Sequence, residues 1–123
     1  MRLAFPLAVV AAVLLAGCSG NEPATPAAPA QSGAFAPVAQ ILERRCIGCH
    51  GAGGKKGFDF RSYDSLMAGG RQGPAVNPGD GPGSLIVRAV KGEGVRRMPP
   101  AGPPLTPEEI ATIERWITDG AKK

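Results

Sequence analysis

The stretch Cys46-Ile47-Gly48-Cys49-His50 decides how the rest of this chain is read. It places two thiols three positions apart and an imidazole directly after the second. Each thiol can add across a vinyl group of haem to form a thioether, and the next residue, a His, is then brought under the iron as an axial ligand. A C-x-x-C-H run is the sequence signature of this c-type attachment. Rival readings account for less of the chain. A thioredoxin-like dithiol wants a βαβ context, which is missing here. A zinc site wants a fourth ligand and a second His or Cys pair, and His50 is the sole histidine. A plain disulfide between Cys46 and Cys49 leaves His50 without a role.

Because His50 is alone, ligation of the iron by two histidines of this chain is excluded. The opposite position falls to a methionine, to a weaker ligand, or to nothing. Met98 is the favoured candidate. It stands in Arg97-Met98-Pro99-Pro100, where the proline that follows pushes it toward extended backbone and two prolines stiffen the presenting loop. Met67 is the second candidate; beside Leu66 at helical spacing, its plainer reading is core packing. An open position is the third.

Outward from the motif, helical periodicity predicts an all-α domain. Residues 37–46 form the first helix, with Pro37 in the first turn and Val38, Ile41, Leu42 and Cys46 on one face. The last helix spans residues 107–119. Thr106 can cap it, Glu109 can complete a capping box, and Leu105 can staple to Ile110. Its buried stripe is Ile110, Ile113, Trp116 and Ile117, and Gly120 is a natural stop. Two weaker helices are expected between these. One covers residues 62–68 and is closed by Gly69-Gly70; the other covers residues 84–90. No run shows strand alternation.

Toward the N-terminus, residues 1–17 read as an export signal, with Arg2 ahead of an apolar run that ends in small residues. The run Leu15-Ala16-Gly17-Cys18 is similar to the lipobox of bacterial lipoproteins, which implies lipidation of Cys18 and cleavage before it. Ser19 in place of an Asp favours the outer membrane by that family's sorting rule. Residues 18–34 then form the lipidated cysteine and a Pro/Ala-rich tether, reaching roughly 20–25 Å as a coil. Residues 35–123 form the folded domain. A lipid on Cys18 and a haem on Cys46 and Cys49 employ all three cysteines.

Composition agrees with a domain built round a cofactor. Gly (18) and Pro (13) make up a quarter of the 123 residues and aromatics only 5%. A small domain with so few large side chains needs apolar mass from elsewhere. The formal charge of +4 is mild, and the cations are not interleaved with aromatics, so nucleic acid is not an expected partner.

Residues 37–123 resemble the class I cytochromes c, and in particular the short domains of planctomycete type. The matching stretches are C-I-G-C-H-G (46–51), G-G-R-Q-G-P-A (69–75), N-P-G-D (77–80), S-L-I-V-R-A-V (84–90), R-M-P-P (97–100) and the run 105–121. The resemblance implies first and last helices crossing beside one covalent haem c, His50/Met98 ligation, and one-electron transfer without catalysis. It also implies a proline carbonyl bonded to the ligand imidazole, for which Pro74 is the candidate. Gly51 would allow close approach of backbone to haem; an ordinary turn glycine is the alternative. Arg44, Arg45, Lys55 and Lys56 flank the motif, and Arg88, Lys91, Arg96 and Arg97 flank the Met98 loop. Gathered at a haem edge, they would steer an acidic redox partner. A haem enzyme of peroxidase type or a haem-based sensor would instead require an open iron.

Overall fold

The computed structural model describes residues 33–123. The signal segment, Cys18 and all of the tether before Gly33 lie outside the described residues. Four α-helices follow one another: α1 (Ala36–Arg45), α2 (Tyr63–Ala68), α3 (Leu85–Lys91) and α4 (Pro107–Thr118). A single 3-10 turn, Lys55–Gly57, lies between α1 and α2. Among the described residues there is no strand, only one isolated bridge between Gly70 and Gly73. No described helix is long and apolar enough to cross a membrane.

Each helix begins and ends for a local reason. Helix α1 starts one residue earlier than its periodicity suggests and carries Pro37 in the first turn, where a missing N–H costs nothing. Arg44 and Arg45 occupy its last turn, facing the negative end of the helix dipole. In α2 the Ser62 and Ser65 side chains cap each other's backbone N–H at 3.1 and 3.2 Å. Gly69 stops α2 with a φ of +72°; a side chain there would meet the Gly73 carbonyl and Pro74. Helix α4 has the anticipated capping box. Glu109 N–H donates to Thr106 Oγ1 at 3.2 Å and Thr106 N–H donates to Glu109 Oε2 at 2.9 Å.

Helix α4 packs against both α1 and α3. Val38, Ile41 and Leu42 of α1, Ile86, Val87 and Val90 of α3, and Ile113, Trp116 and Ile117 of α4 form the centre of the core. Each such side chain fully withdrawn from water stabilises the fold by about 1.5–3 kcal/mol. Leu105 is buried before α4, while Ile110 is only partly buried against the core. Ser84, the one buried polar residue among the described residues, is satisfied: Asn77 N–H donates to its Oγ, which in turn donates to the Asp80 carbonyl, both at 2.8 Å.

A second packing centre lies where the chain enters the domain. Phe35 is 1% exposed, with its ring centroid 5.4 Å from that of Tyr63 and 5.3 Å from that of Trp116. The same rings hold the C-terminal residues. Tyr63 donates to the Ala121 carbonyl at 2.9 Å and the Trp116 indole donates to the Lys122 carbonyl at 2.7 Å. Phe35 is therefore part of the fold, although no helical pattern includes it.

Candidate cofactor site

Cys46 is the C-cap of α1, so the helix delivers the motif at its own end. The chain then turns tightly: Ile47 N–H donates to the Leu42 carbonyl at 3.1 Å, and Cys49 and His50 N–H both donate to the Cys46 carbonyl at 3.1 and 2.9 Å. Two further bonds fix the turn from outside. Lys55 N–H donates to the Cys49 carbonyl at 3.1 Å and Phe60 N–H to the His50 carbonyl at 2.8 Å. Both thiols are free, Cys46 half-buried and Cys49 exposed.

These residues open onto a cleft of about 580 Å³, a size ordinary for a cofactor pocket. Cys46, Cys49 and His50 line it from the attachment turn. Phe58, Phe60 and Ala75 line it from the segment that follows, and Leu85, Ile86, Ala89 and Val90 from α3. Val95, Met98, Pro99, Pro100 and Leu105 complete it from the loop before α4. The lining is mostly apolar, with Arg45, Lys55, Lys56, Gln72 and Arg96 adding the polar groups.

Within this lining His50 rests among aromatic rings, its centroid 5.0 Å from that of Phe60 and 6.2 Å from that of Phe58. Burial holds the imidazole below its ordinary pKa, which keeps it neutral with a lone pair available at physiological pH. Its Nδ1 is buried and has no hydrogen-bond partner. Leaving such an atom unpaired costs about 1–3 kcal/mol. Burial also pushes the Cys46 thiol up to about 11, with the Arg45 charge pulling the other way.

The candidates from the sequence separate clearly. Cys46, Cys49, His50 and Met98 come together in one cleft. Met67 is half-buried against the hydrophobic core and is not among the cleft residues. Pro74 is exposed and outside the lining, flanked by Gln72 and Ala75, which do line it, and no hydrogen bond joins it to His50. Gly51 is also outside the lining; a side chain there would sit 3.1 Å from the Ile47 carbonyl. The demanding glycine is Gly54, where a Cβ would run into the Phe58 carbonyl and lie 2.8 Å from the His50 Cα. Of the cations, Arg45, Lys55, Lys56 and Arg96 reach the cleft, while Lys91 pairs with Glu114 at 2.7 Å between α3 and α4.

Phe58 and Phe60 are site residues that helical periodicity passes over. Their available signal was spacing: two of only four phenylalanines stand two apart, which in extended chain puts both on one side.

The free thiols, the imidazole atom without a partner and an apolar cleft too large for side chains to fill are what a covalently held haem would require. Together with the helix order, they define an all-α, cytochrome c-like fold. Residues 46–102, from the first thiol of the motif to just beyond the Met98 loop, match the family model described as Planctomycete cytochrome C. That match supports a cytochrome c-type domain, and with it haem c as cofactor and electron transfer as the general task. No curated protein and no solved structure matches the chain.

Proposed function

We propose that this protein is a mono-haem c-type cytochrome that carries single electrons between redox proteins, confined by a lipid on Cys18 to the periplasmic face of a bacterial membrane, the outer one by preference. The observation that carries the reading is the meeting of both thiols, the only histidine and Met98 in one mostly apolar cleft. Cys46 and Cys49 would hold the haem through thioethers, and His50 and Met98 would bind its iron. Haem so held would supply a one-electron centre, with a potential raised by having a methionine and a histidine as ligands.

The chain's own part is positioning and exclusion. The hydrogen-bonded turn after α1 fixes the two sulfurs and the imidazole relative to one another. Phe58 and Phe60 pack beside the His50 ring and restrict its rotation. Lys55, Lys56 and Arg96 place positive charge at the cleft, which favours an acidic partner and speeds encounter at low salt. With His50 and Met98 both holding the iron, the protein would leave no place there for a substrate, which would distinguish a carrier from a haem enzyme or a sensor.

The test is to express residues 19–123 behind a cleavable export signal with haem-maturation machinery and record spectra in both redox states. The expected result is a c-type spectrum that survives denaturation, with the weak far-red band of ferric iron bonded to thioether. Met98→Ala should abolish that band and admit carbon monoxide. Met67→Leu, a swap that usually costs under about 1.5 kcal/mol, should keep it. A wild-type spectrum without the band, with free carbon monoxide binding, would favour an enzyme or sensor. No covalent haem at all would overturn the reading.

A further inference from the structure

We infer that Arg45 is a positioning residue for Met98, acting by pinning the far end of the loop that carries it; the inference rests on the Met98 ligation proposed above. Residues 98–104 hold four prolines, at 99, 100, 103 and 104, which have no N–H to donate. The two remaining donors beyond Met98, on Ala101 and Gly102, make no backbone hydrogen bond. The segment is therefore held at its ends. At the first, Met98 N–H donates to the Ala89 carbonyl of α3 at 2.8 Å. At the second, Arg45 Nη2 donates to the Pro104 carbonyl at 2.6 Å.

Arg45 is also drawn to Glu109: its Nε lies 3.4 Å from Glu109 Oε2, an ion pair without a hydrogen bond, and both side chains are mostly buried. Glu109 is the acid that closes the Thr106 cap. Arg45 also immediately precedes Cys46 and lines the cleft. One guanidinium thus ties the thiol-bearing turn, the start of α4 and the Met98 loop together. A proline-rich segment passes a displacement along rather than absorbing it, so loosening Pro104 loosens the sulfur at the other end. Lysine cannot reproduce the arrangement, because a single ammonium lacks the planar fork that reaches Glu109 and Pro104 at once.

The experiment is an imidazole titration of the ferric, haem-loaded domain, since imidazole binds iron only when the methionine sulfur gives way. Arg45→Met should raise imidazole affinity about tenfold, equivalent to about 1.4 kcal/mol, and weaken the far-red band. Arg45→Lys should fall between this variant and wild type. Lys91→Met serves as the control: it breaks the 2.7 Å ion pair between the last turn of α3 and Glu114 of α4, leaving the Arg45 contacts intact, and should lower thermal stability while leaving imidazole affinity within about twofold. If Arg45→Met does not load haem, Arg45→Lys and Glu109→Gln carry the comparison by the same criteria. A wild-type far-red band with unchanged imidazole affinity in the Arg45 variants would overturn this inference alone, as would an equal rise in Lys91→Met. A wild type without the band would overturn the proposed ligation and this inference together.

Discussion

Gly54 has a φ of −56°, a value any residue adopts, so the demand for glycine there is one of space. The Phe58 carbonyl and the His50 Cα occupy the volume a side chain would need. Gly48, inside the attachment motif, has nothing within 4 Å of where its Cβ would be. Alanine at the two positions should therefore give opposite results. Gly54→Ala forces the segment after the motif away from His50 and should cost about 1–3 kcal/mol. Gly48→Ala should stay within about 0.5 kcal/mol of wild type. Thermal unfolding of the two haem-loaded variants decides it, and equal losses would mean that crowding at Gly54 is relieved elsewhere. The same contrast of surroundings separates the two methionines: Met67 is packed against other side chains, while Met98 faces the cleft.

Helix α4 depends on the reciprocal bonds between Thr106 and Glu109. Thr106→Ala should cost about 1 kcal/mol, a fall in Tm of roughly 4–8 °C for a domain of this size; calorimetry of the loaded domain checks it. An unchanged Tm would place the start of α4 under the control of Arg45 and Leu105 instead. That capping box was legible in the sequence because every atom it uses lies within four residues. So were the hydrophobic stripes of α1 and α4, whose ends moved by a single residue. That Cys46, Cys49, His50 and Met98 should meet was an expectation from residue chemistry, since few residue types suit such a site, and the fold brings all four to one cleft. What stayed hidden depends on segments far apart in the chain. Phe35 is buried by Tyr63 and Trp116, and Arg45 reaches residues about sixty positions away. Pro74 was singled out by the resemblance and Gly51 by its place after the motif, whereas Ala75 lines the cleft and the crowded glycine is Gly54.

At the scale of the molecule, α1 would link the proposed anchorage to the proposed haem site. The tether enters at its N-terminal side and Cys46 stands at its other end, ten helical residues later, or about 15 Å. The proposed lipid can therefore hold the domain at one end of α1 while the cleft is presented at the other. Cys18→Ala should move the protein from the membrane fraction to the soluble periplasmic fraction without altering the haem spectrum. Membrane retention of that variant would point to an uncleaved signal as the anchor instead. The aromatic cluster of Phe35, Tyr63 and Trp116 has its own effect at this scale. It draws the two ends of the described domain together, so that a side chain on Gly33 would lie 3.0 Å from the Lys123 carbonyl. A backbone whose ends meet is nearly a closed ring. A few glycines would complete it, and a cut at the exposed Pro82-Gly83 turn would reopen it with α3 first in the chain. The order in which the helices are written would change, and every packing contact described here could persist.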